Sequence, residues 1–454
     1  MLAVGPPERR GIPTVKTLPR GSDVSRPLSR RALLQGAALS ACGACLSCGG
    51  RPLPPATGGY TKRQLSLGDP PSFRTDASTA NIQTRFGLYQ AANVGTLRIG
   101  IGWNGMETSS GHWSTPSWLR TYAGLAQQHG FGIKLLLQNM GAIPQWFSAA
   151  NPSGQLLDQG GATTQLSMSY WYPSLHAVLG DAADNMFRLL SQDGVLEAVR
   201  YLFVDLGSSG ESKYPSPHEV GRPGPLFWCY DSHAQQSFAA AMEARYGGGL
   251  TQANAAWGTG FTSWSEVQVP QPGKQPGQMW SDVLDWYQAS RRDFVSWQVA
   301  TYQALANQYA PGVPLVVGVP GSHITAAQWQ SAISAGEGGV TLGLMIDTEW
   351  LLNTAHRMGV TAQYTGAENQ TELQWIVQTL KADGISGLPL WGENAGVYPP
   401  TEADNPRVLV NDAVADGLYG VEYINASNLF EPDGLTPNGW YTMLQSAYAE
   451  LLQR

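Results

Sequence analysis

The chain has 454 residues, room for about three ordinary domains or for one α/β barrel with long loops, and its 43% apolar residues with 53 Gly and 30 Pro describe a globular protein rich in loop. Only 13% of residues are charged, while 16 Trp and 18 Tyr outnumber 11 Phe, a balance suited to neutral, hydroxyl-rich ligands. The net charge of −7 argues against a nucleic-acid partner, which calls for a basic footprint.

That charge is unevenly spread. Residues 1–41 hold seven Lys/Arg and two Asp/Glu, whereas the remainder holds 20 and 32. The first segment runs Ser29-Arg-Arg-Ala-Leu-Leu34, then a mildly apolar Gly/Ala-rich stretch, then Leu39-Ser-Ala-Cys42. Arg-Arg ahead of a short apolar run resembles a twin-arginine export signal, and Leu-Ser-Ala-Cys resembles a bacterial lipobox with Cys42 as the lipidated residue. The apolar run is too short to span a bilayer, so membrane contact is expected only through such an anchor. Export would place the mature chain on the periplasmic or extracellular side. Cys45 and Cys48 follow Cys42 without a nearby fourth ligand, so a cluster motif is not favoured, and Cys229 is left without a disulfide partner. Residues 42–60 read as a Pro/Gly tether. The folded domain is expected over 61–454.

Past the tether, short β-rich apolar runs alternate with helical patterns, the signature of parallel βαβ units. Strands are predicted at 62–67, 97–103, 133–138, 200–206, 314–318, 359–364, 386–391 and 418–424. Helices are predicted at 115–129, 180–197, 231–246, 280–310, 325–335, 348–357, 370–382, 404–416 and 437–453. Eight such strands give a (β/α)8 TIM barrel with long loops. A ninth apolar run at 339–346 and an open doubly wound sheet are the alternatives, although no Gly-rich phosphate loop follows a strand.

In a barrel, chemistry sits at the C-terminal ends of the strands. The residues found there are Trp103, Asn104 and Glu107; Gln138 and Asn139; Asp205 and Glu211; Tyr364 to Glu368; Trp391 to Asn394; and Tyr423 to Asn425. Aromatic faces stack on pyranose C–H surfaces, amides bind hydroxyls, and paired carboxylates serve as acid and base at a glycosidic bond. No His/Asp/Glu group has metal-ligand spacing, so neither metal nor cofactor is expected.

Two segments are specific. Asp205-Leu-Gly-Ser-Ser-Gly-Glu211-Ser-Lys213-Tyr214-Pro215-Ser216, with Cys229-Tyr-Asp231 downstream, resembles the general-acid region of the β-amylases, glycoside hydrolase family 14. Gly392-Glu393-Asn394-Ala395 resembles that family's general-base region. Weaker echoes are Ile143-Pro-Gln-Trp146, Leu284-Asp-Trp-Tyr287, Gly321-Ser-His323, Thr365 with Glu368, and Tyr419-Gly-Val-Glu-Tyr423, all in the family's order. The resemblance implies a glycosidase with Glu211 as general acid and Glu393 as base or nucleophile, and it leans towards inversion. Substrate contacts are expected from Trp103, Gln138, Asn139, Lys213, Tyr214, Tyr364, Thr365, Glu368, Trp391 and Asn394. Trp171 and Trp350 are further candidate platforms, and His218 and His323 read as loop and packing residues.

The chain also departs from that family. Its second-strand aspartate aligns with Gly100, its third-strand histidine with Gln138, its fifth-strand lysine with Gly318 and its last-strand arginine with Asn425, while the lid shrinks to Met140-Gly-Ala142. The reaction class is therefore expected to carry over better than the substrate. Phe238 to Pro270 is similar to a stretch of the family 42 β-galactosidases, which are retaining, and that comparison selects the same two glutamates. The alternatives to a hydrolase of family-14 type are a family 42-like enzyme and a lipid-anchored glycan-binding barrel without catalysis. Glu211 as a loop carboxylate merely paired with Lys213 is the competing view of that residue.

Overall fold

The computed structural model describes residues 60–454 apart from Asp76, Ala395, Val397 and Tyr398. The export signal, Cys42, Cys45, Cys48 and nearly all of the tether lie outside the described residues. Eight parallel strands close a barrel in sequential order: β1 (Leu65–Gly68), β2 (Thr96–Gly102), β3 (Gly132–Gln138), β4 (Val199–Val204), β5 (Leu315–Val319), β6 (Thr361–Tyr364), β7 (Leu390–Glu393) and β8 (Gly420–Tyr423). Strand β1 pairs with both β2 and β8, which rules out the open sheet. A helix follows each strand: α1 (Thr79–Ala91), α2 (Ser117–Gln128), α3 (Leu175–Gln192), α4 (Gln278–Tyr309), α5 (Thr348–Met358), α6 (Gln370–Ala382), α7 (Pro406–Ala415) and α8 (Gly439–Leu451).

The strands form where β-branched and aliphatic runs can be buried on both faces. In β2, Leu97, Ile99 and Ile101 pack into the shell between barrel and helices, while the alternate Arg98 reaches the barrel interior. The interior itself is filled by Leu136, Tyr201, Phe203, Val316 and Trp391. Trp391 can sit there because β8 passes it with Gly420, where a Cβ would lie 2.7 Å from the indole.

Two local features depart from the sequence reading, one an alternative that is not realised and one a helix outside the predicted set. The apolar run at 339–346 is not a strand: Val340–Gly343 forms a short helix, because the barrel closed by eight strands leaves no edge for a ninth. Helix α1 was not foreseen, since its buried face mixes Ile82, Phe86 and Tyr89 with Arg85 and so interrupts the apolar period. Its start is nevertheless defined by Ser78, whose hydroxyl accepts from Asn81 N.

The loops after β3 and β4 build a second apolar cluster with the first half of α4, containing Trp228, Phe238, Trp257, Trp280 and Tyr287. Helix α4, about 48 Å long at 1.5 Å per residue, also pins the barrel rim. Gln298 Nε2 donates to Asn139 Oδ1 (2.6 Å) and to the Asp205 carbonyl (2.9 Å), and Tyr302 Oη donates to the Leu137 carbonyl (2.6 Å). The ends of β3 and β4 are thereby fixed to one rigid element, which is what the catalytic-face loops are built on.

Candidate active site

The chain leaves β4 at Asp205, whose carboxylate accepts from Met140 N and Gly141 N at 2.7 Å each and so ties the turn after β3 to the start of the β4 loop. Arg291 of α4 donates to the Leu206 carbonyl. The loop then turns through Gly210, held at φ 83°, a left-handed conformation that glycine adopts without a Cβ penalty. Glu211 returns to the barrel as a single parallel bridge to Gly318 of β5, reinforced by Ser212 N donating to the Gly318 carbonyl (3.1 Å).

Three side chains hold the Glu211 carboxylate. Thr365 Oγ1 donates to Oε1, while Ser209 Oγ and Lys213 Nζ each lie 2.8 Å from Oε2. Burial alone would raise its pKa, but the Lys213 ammonium and these hydrogen bonds outweigh burial and hold the carboxyl below the usual carboxylate range. The ion pair with Lys213 foreseen as the competing view is present.

Glu393 ends β7 and is 5% exposed. Arg98 Nη1 of β2 donates to its Oε2 at 2.7 Å, and Gln363 Nε2 of β6 donates to the same oxygen. Arg98 Nη1 also lies 2.9 Å from Glu422 Oε1 of β8, and Lys134 Nζ of β3 lies 2.8 Å from Glu422 Oε2. Ser66 of β1 donates to Glu422 Oε2 as well (2.9 Å). Burial is the largest influence on both carboxyls. For Glu422 it is overcome by Lys134 and Arg98, which pull the group down to about 2. Glu393 has less compensation: burial, together with the charges of Glu422 and Glu211, outweighs Arg98 and pushes it up to about 7.

The two glutamates are connected by the segment after β6. Thr365 donates its hydroxyl to Glu211, and two residues later Ala367 N donates to the Glu393 carbonyl (2.9 Å). Thr365 N in turn donates to the Val319 carbonyl at the end of β5 (3.0 Å). One short loop therefore touches both carboxylate-bearing segments.

Of the expected substrate contacts, Gln138, Lys213, Thr365 and Glu368 are partly exposed. The others are corrected by burial. Trp103 donates its indole N–H to Glu107 (2.6 Å) and packs against Phe147. Asn139 is spent on Gln298, Tyr302 and the Leu179 carbonyl. Tyr214 stacks on Tyr287, and Tyr364 lies in the shell between barrel and helices. Trp391 is fully buried with Lys134 Nζ 3.5 Å from its ring centroid, leaving no face for a sugar. Asn394 bridges Asp404 and Ile424 N. Trp171 stacks on Trp286, and His323 stacks on Trp375 as a packing residue.

Four residues of the charge network, Arg98, Lys134, Gln363 and Glu422, were not singled out from the sequence. The available signal was a polar residue in the middle of each of four apolar strands. Such a side chain can only point into the barrel, and there it needs a partner.

The raised Glu393 has a stability consequence with a definite sign. Its protonated form is the one the fold favours, so it costs stability as pH climbs from its ordinary value near 4.5 through about 7. Glu393→Gln is expected to melt at or above the wild-type temperature at pH 8, with the advantage shrinking towards pH 5. Calorimetry showing a clear loss of Tm at pH 8 would contradict this.

Comparison with known proteins follows the same lines. The model of glycosyl hydrolase family 14 matches residues 143–385. A β/α-amylase of Paenibacillus polymyxa is 24% identical over 384 residues, 76% of this chain and 31% of that one. A β-amylase of Cytobacillus firmus is 25% identical over 222 residues, 43% of this chain and 46% of that one. This chain thus spans less than half the length of either relative. Among solved structures, the catalytic domain of β-amylase from Paenibacillus polymyxa superposes with a TM-score of 0.70 at 19% identity, covering 86% of this chain and 98% of that one. A β-galactosidase from the psychrophilic Marinomonas ef1 gives 0.62 at 14% identity, covering 86% and 59%. Because the family model spans more than half of the sequence and includes the Glu211 loop, the chain belongs to glycosyl hydrolase family 14.

Proposed function

We propose that the protein is a glycoside hydrolase that cleaves O-glycosidic bonds of an oligo- or polysaccharide, with Glu211 as general acid and Glu393 as the base that activates water. The observation that carries this reading is the pair of glutamates, Glu211 partly exposed after β4 and Glu393 buried at the end of β7, joined by the Thr365–Ala367 segment. Glu211 is held ionised and Glu393 is about half-protonated at pH 7, so the pair carries about half a proton there and that share lies on Glu393. Each charge opposes the other: a proton taken up by Glu211 removes one of the influences that raise Glu393 and lets it ionise against Arg98. Inversion is the stereochemistry favoured by the family resemblance.

The sugar-binding rim differs from the family pattern in ways that support an altered substrate. Gly100 leaves open room, the nearest atom to a Cβ there being 3.6 Å away. Gly318 does not, since a Cβ would meet Phe203 at 3.1 Å and the Glu211 backbone at 3.2 Å. Asn425, where the family places an arginine, is a loop pin that donates to the Gly396 carbonyl (3.0 Å). The Glu211–Lys213 ion pair is the one observation that favours a glycan-binding barrel without catalysis.

Turnover separates the two readings. With starch, malto-oligosaccharides and a panel of other glycans as substrates and reducing-end release as the readout, Glu211→Gln and Glu393→Gln should each lose at least about 10²-fold in kcat. Near-wild-type turnover in either variant overturns the assignment, and binding without any release by the wild type favours the non-catalytic reading. Export through the amino-terminal signal, with Cys42 as lipid acceptor, belongs to the same proposal. In a bacterial host, Cys42→Ala should abolish labelling by radioactive palmitate, and undiminished labelling would refute the anchor.

A further inference from the structure

A general acid must carry a proton when its substrate arrives, yet Glu211 accepts from a threonine, a serine and an ammonium. An ionised carboxylate is acceptor-only, and these three donors suit that form. If Glu211 is the acid, the contact to be released is the charged one. The structure contains a second place for that charge. Lys213 Nζ lies 2.8 Å from Glu211 Oε2 and 3.7 Å from Glu219 Oε1, and the three side chains are 16%, 13% and 22% exposed.

Glu219 is built to receive the cation. Ser208 Oγ donates to its Oε1 (3.0 Å) and Ser216 N to its Oε2 (2.6 Å), and its own N–H donates to Ser216 Oγ (3.2 Å), so the carboxylate is fixed on the loop that carries Glu211. A charge-assisted contact closes at about 2.8 Å, so Lys213 needs a shift of roughly 1 Å, within the reach of a lysine's four-carbon stem.

We propose that Lys213 is a two-position cation that pairs with Glu211, 2.8 Å away, and passes to Glu219 when substrate enters, leaving Glu211 free to carry the proton it donates. The ammonium keeps its charge throughout, and Glu211 takes up one proton from hydronium or a buffer acid as the carboxylate loses its counter-ion, so substrate entry is coupled to net uptake of one proton. This makes Lys213 and Glu219 positioning residues; it rests on the reading of Glu211 as general acid. The other groups around Glu211 do not offer a second position. Thr365 and Ser209 are neutral, Arg291 of α4 reaches only the Glu211 backbone carbonyl (3.4 Å), and Arg98 is held between Glu393 and Glu422. Glu393 acts on Glu211 across the barrel mouth as a like charge.

The two partners of Lys213 predict opposite effects. In Lys213→Met the burial of Glu211 is no longer opposed by a cation, so the alkaline limb of the kcat profile should move up by roughly 1–3 pH units. In Glu219→Gln the cation loses its second anchor and stays on Glu211, so that limb should move down and kcat at neutral pH should fall with little change in KM. Lys213→Arg, which preserves the charge, should stay closest to wild type. The same order is expected without turnover from the Glu211 carboxyl titrated by 13C NMR in the empty protein: highest in Lys213→Met, and no higher than wild type in Glu219→Gln. Shifts of one sign in both variants, or no shift, overturn the proposal. If Glu211→Gln itself retains turnover, the acid assignment fails instead, and the NMR order still tests the ion-pair exchange.

Discussion

A single guanidinium organises the interior of this barrel. Arg98 reaches from β2 to carboxylates on β7 and β8 at 2.7 and 2.9 Å, and its plane lies over the Phe203 ring at 4.7 Å. A charge in this position is expensive unless paired, and Glu422 keeps Arg98 paired whichever form Glu393 takes. Lys134 completes the arrangement by neutralising the second oxygen of Glu422. The outcome is unequal: Glu422 has two cations and is locked as an anion, while Glu393 shares Arg98 and is left poised between its two protonation states. Burial is the same physical cause in both, and the number of cations decides the result.

Around this fixed centre the loops assemble the rest. Helix α4 anchors the ends of β3 and β4, Asp205 ties their turns together, and Gly210 turns the chain so that Glu211 can rejoin β5. The segment after β6 then bonds to the Glu211 carboxylate and to the backbone of Glu393. The barrel therefore supplies one carboxylate directly from a strand end and the other from a loop fastened at several points. The loop-borne glutamate is the one with the Lys213 ammonium beside it.

Much of this was legible in the sequence. The eight strands emerged within a few residues because parallel strands buried on both faces read as apolar runs, and the two glutamates were selected by their resemblance to the β-amylase motifs after the fourth and seventh strands. What was misjudged is the depth and the partners of residues near the strand ends. Trp391 lies two residues before Glu393, so both point inwards, but the tryptophan falls one layer deeper and fills the barrel. Trp103 and Asn394 stand at the rim in sequence yet are consumed by hydrogen bonds to Glu107 and Asp404. Arg98 and Glu422 were passed over because each is one polar residue inside an apolar run, and their meaning depends on strands more than 300 residues apart. Spacing along one strand can show that such residues point inwards; only the closed barrel shows that they meet.

The most direct test of this account is the titration of the two buried carboxyls by 13C NMR on glutamate-labelled protein, assigned with Glu393→Gln and Glu422→Gln. The charge network requires Glu422 to stay ionised until the pH approaches about 2, and Glu393 to titrate near 7. Two ordinary titrations near 4.5 would contradict it.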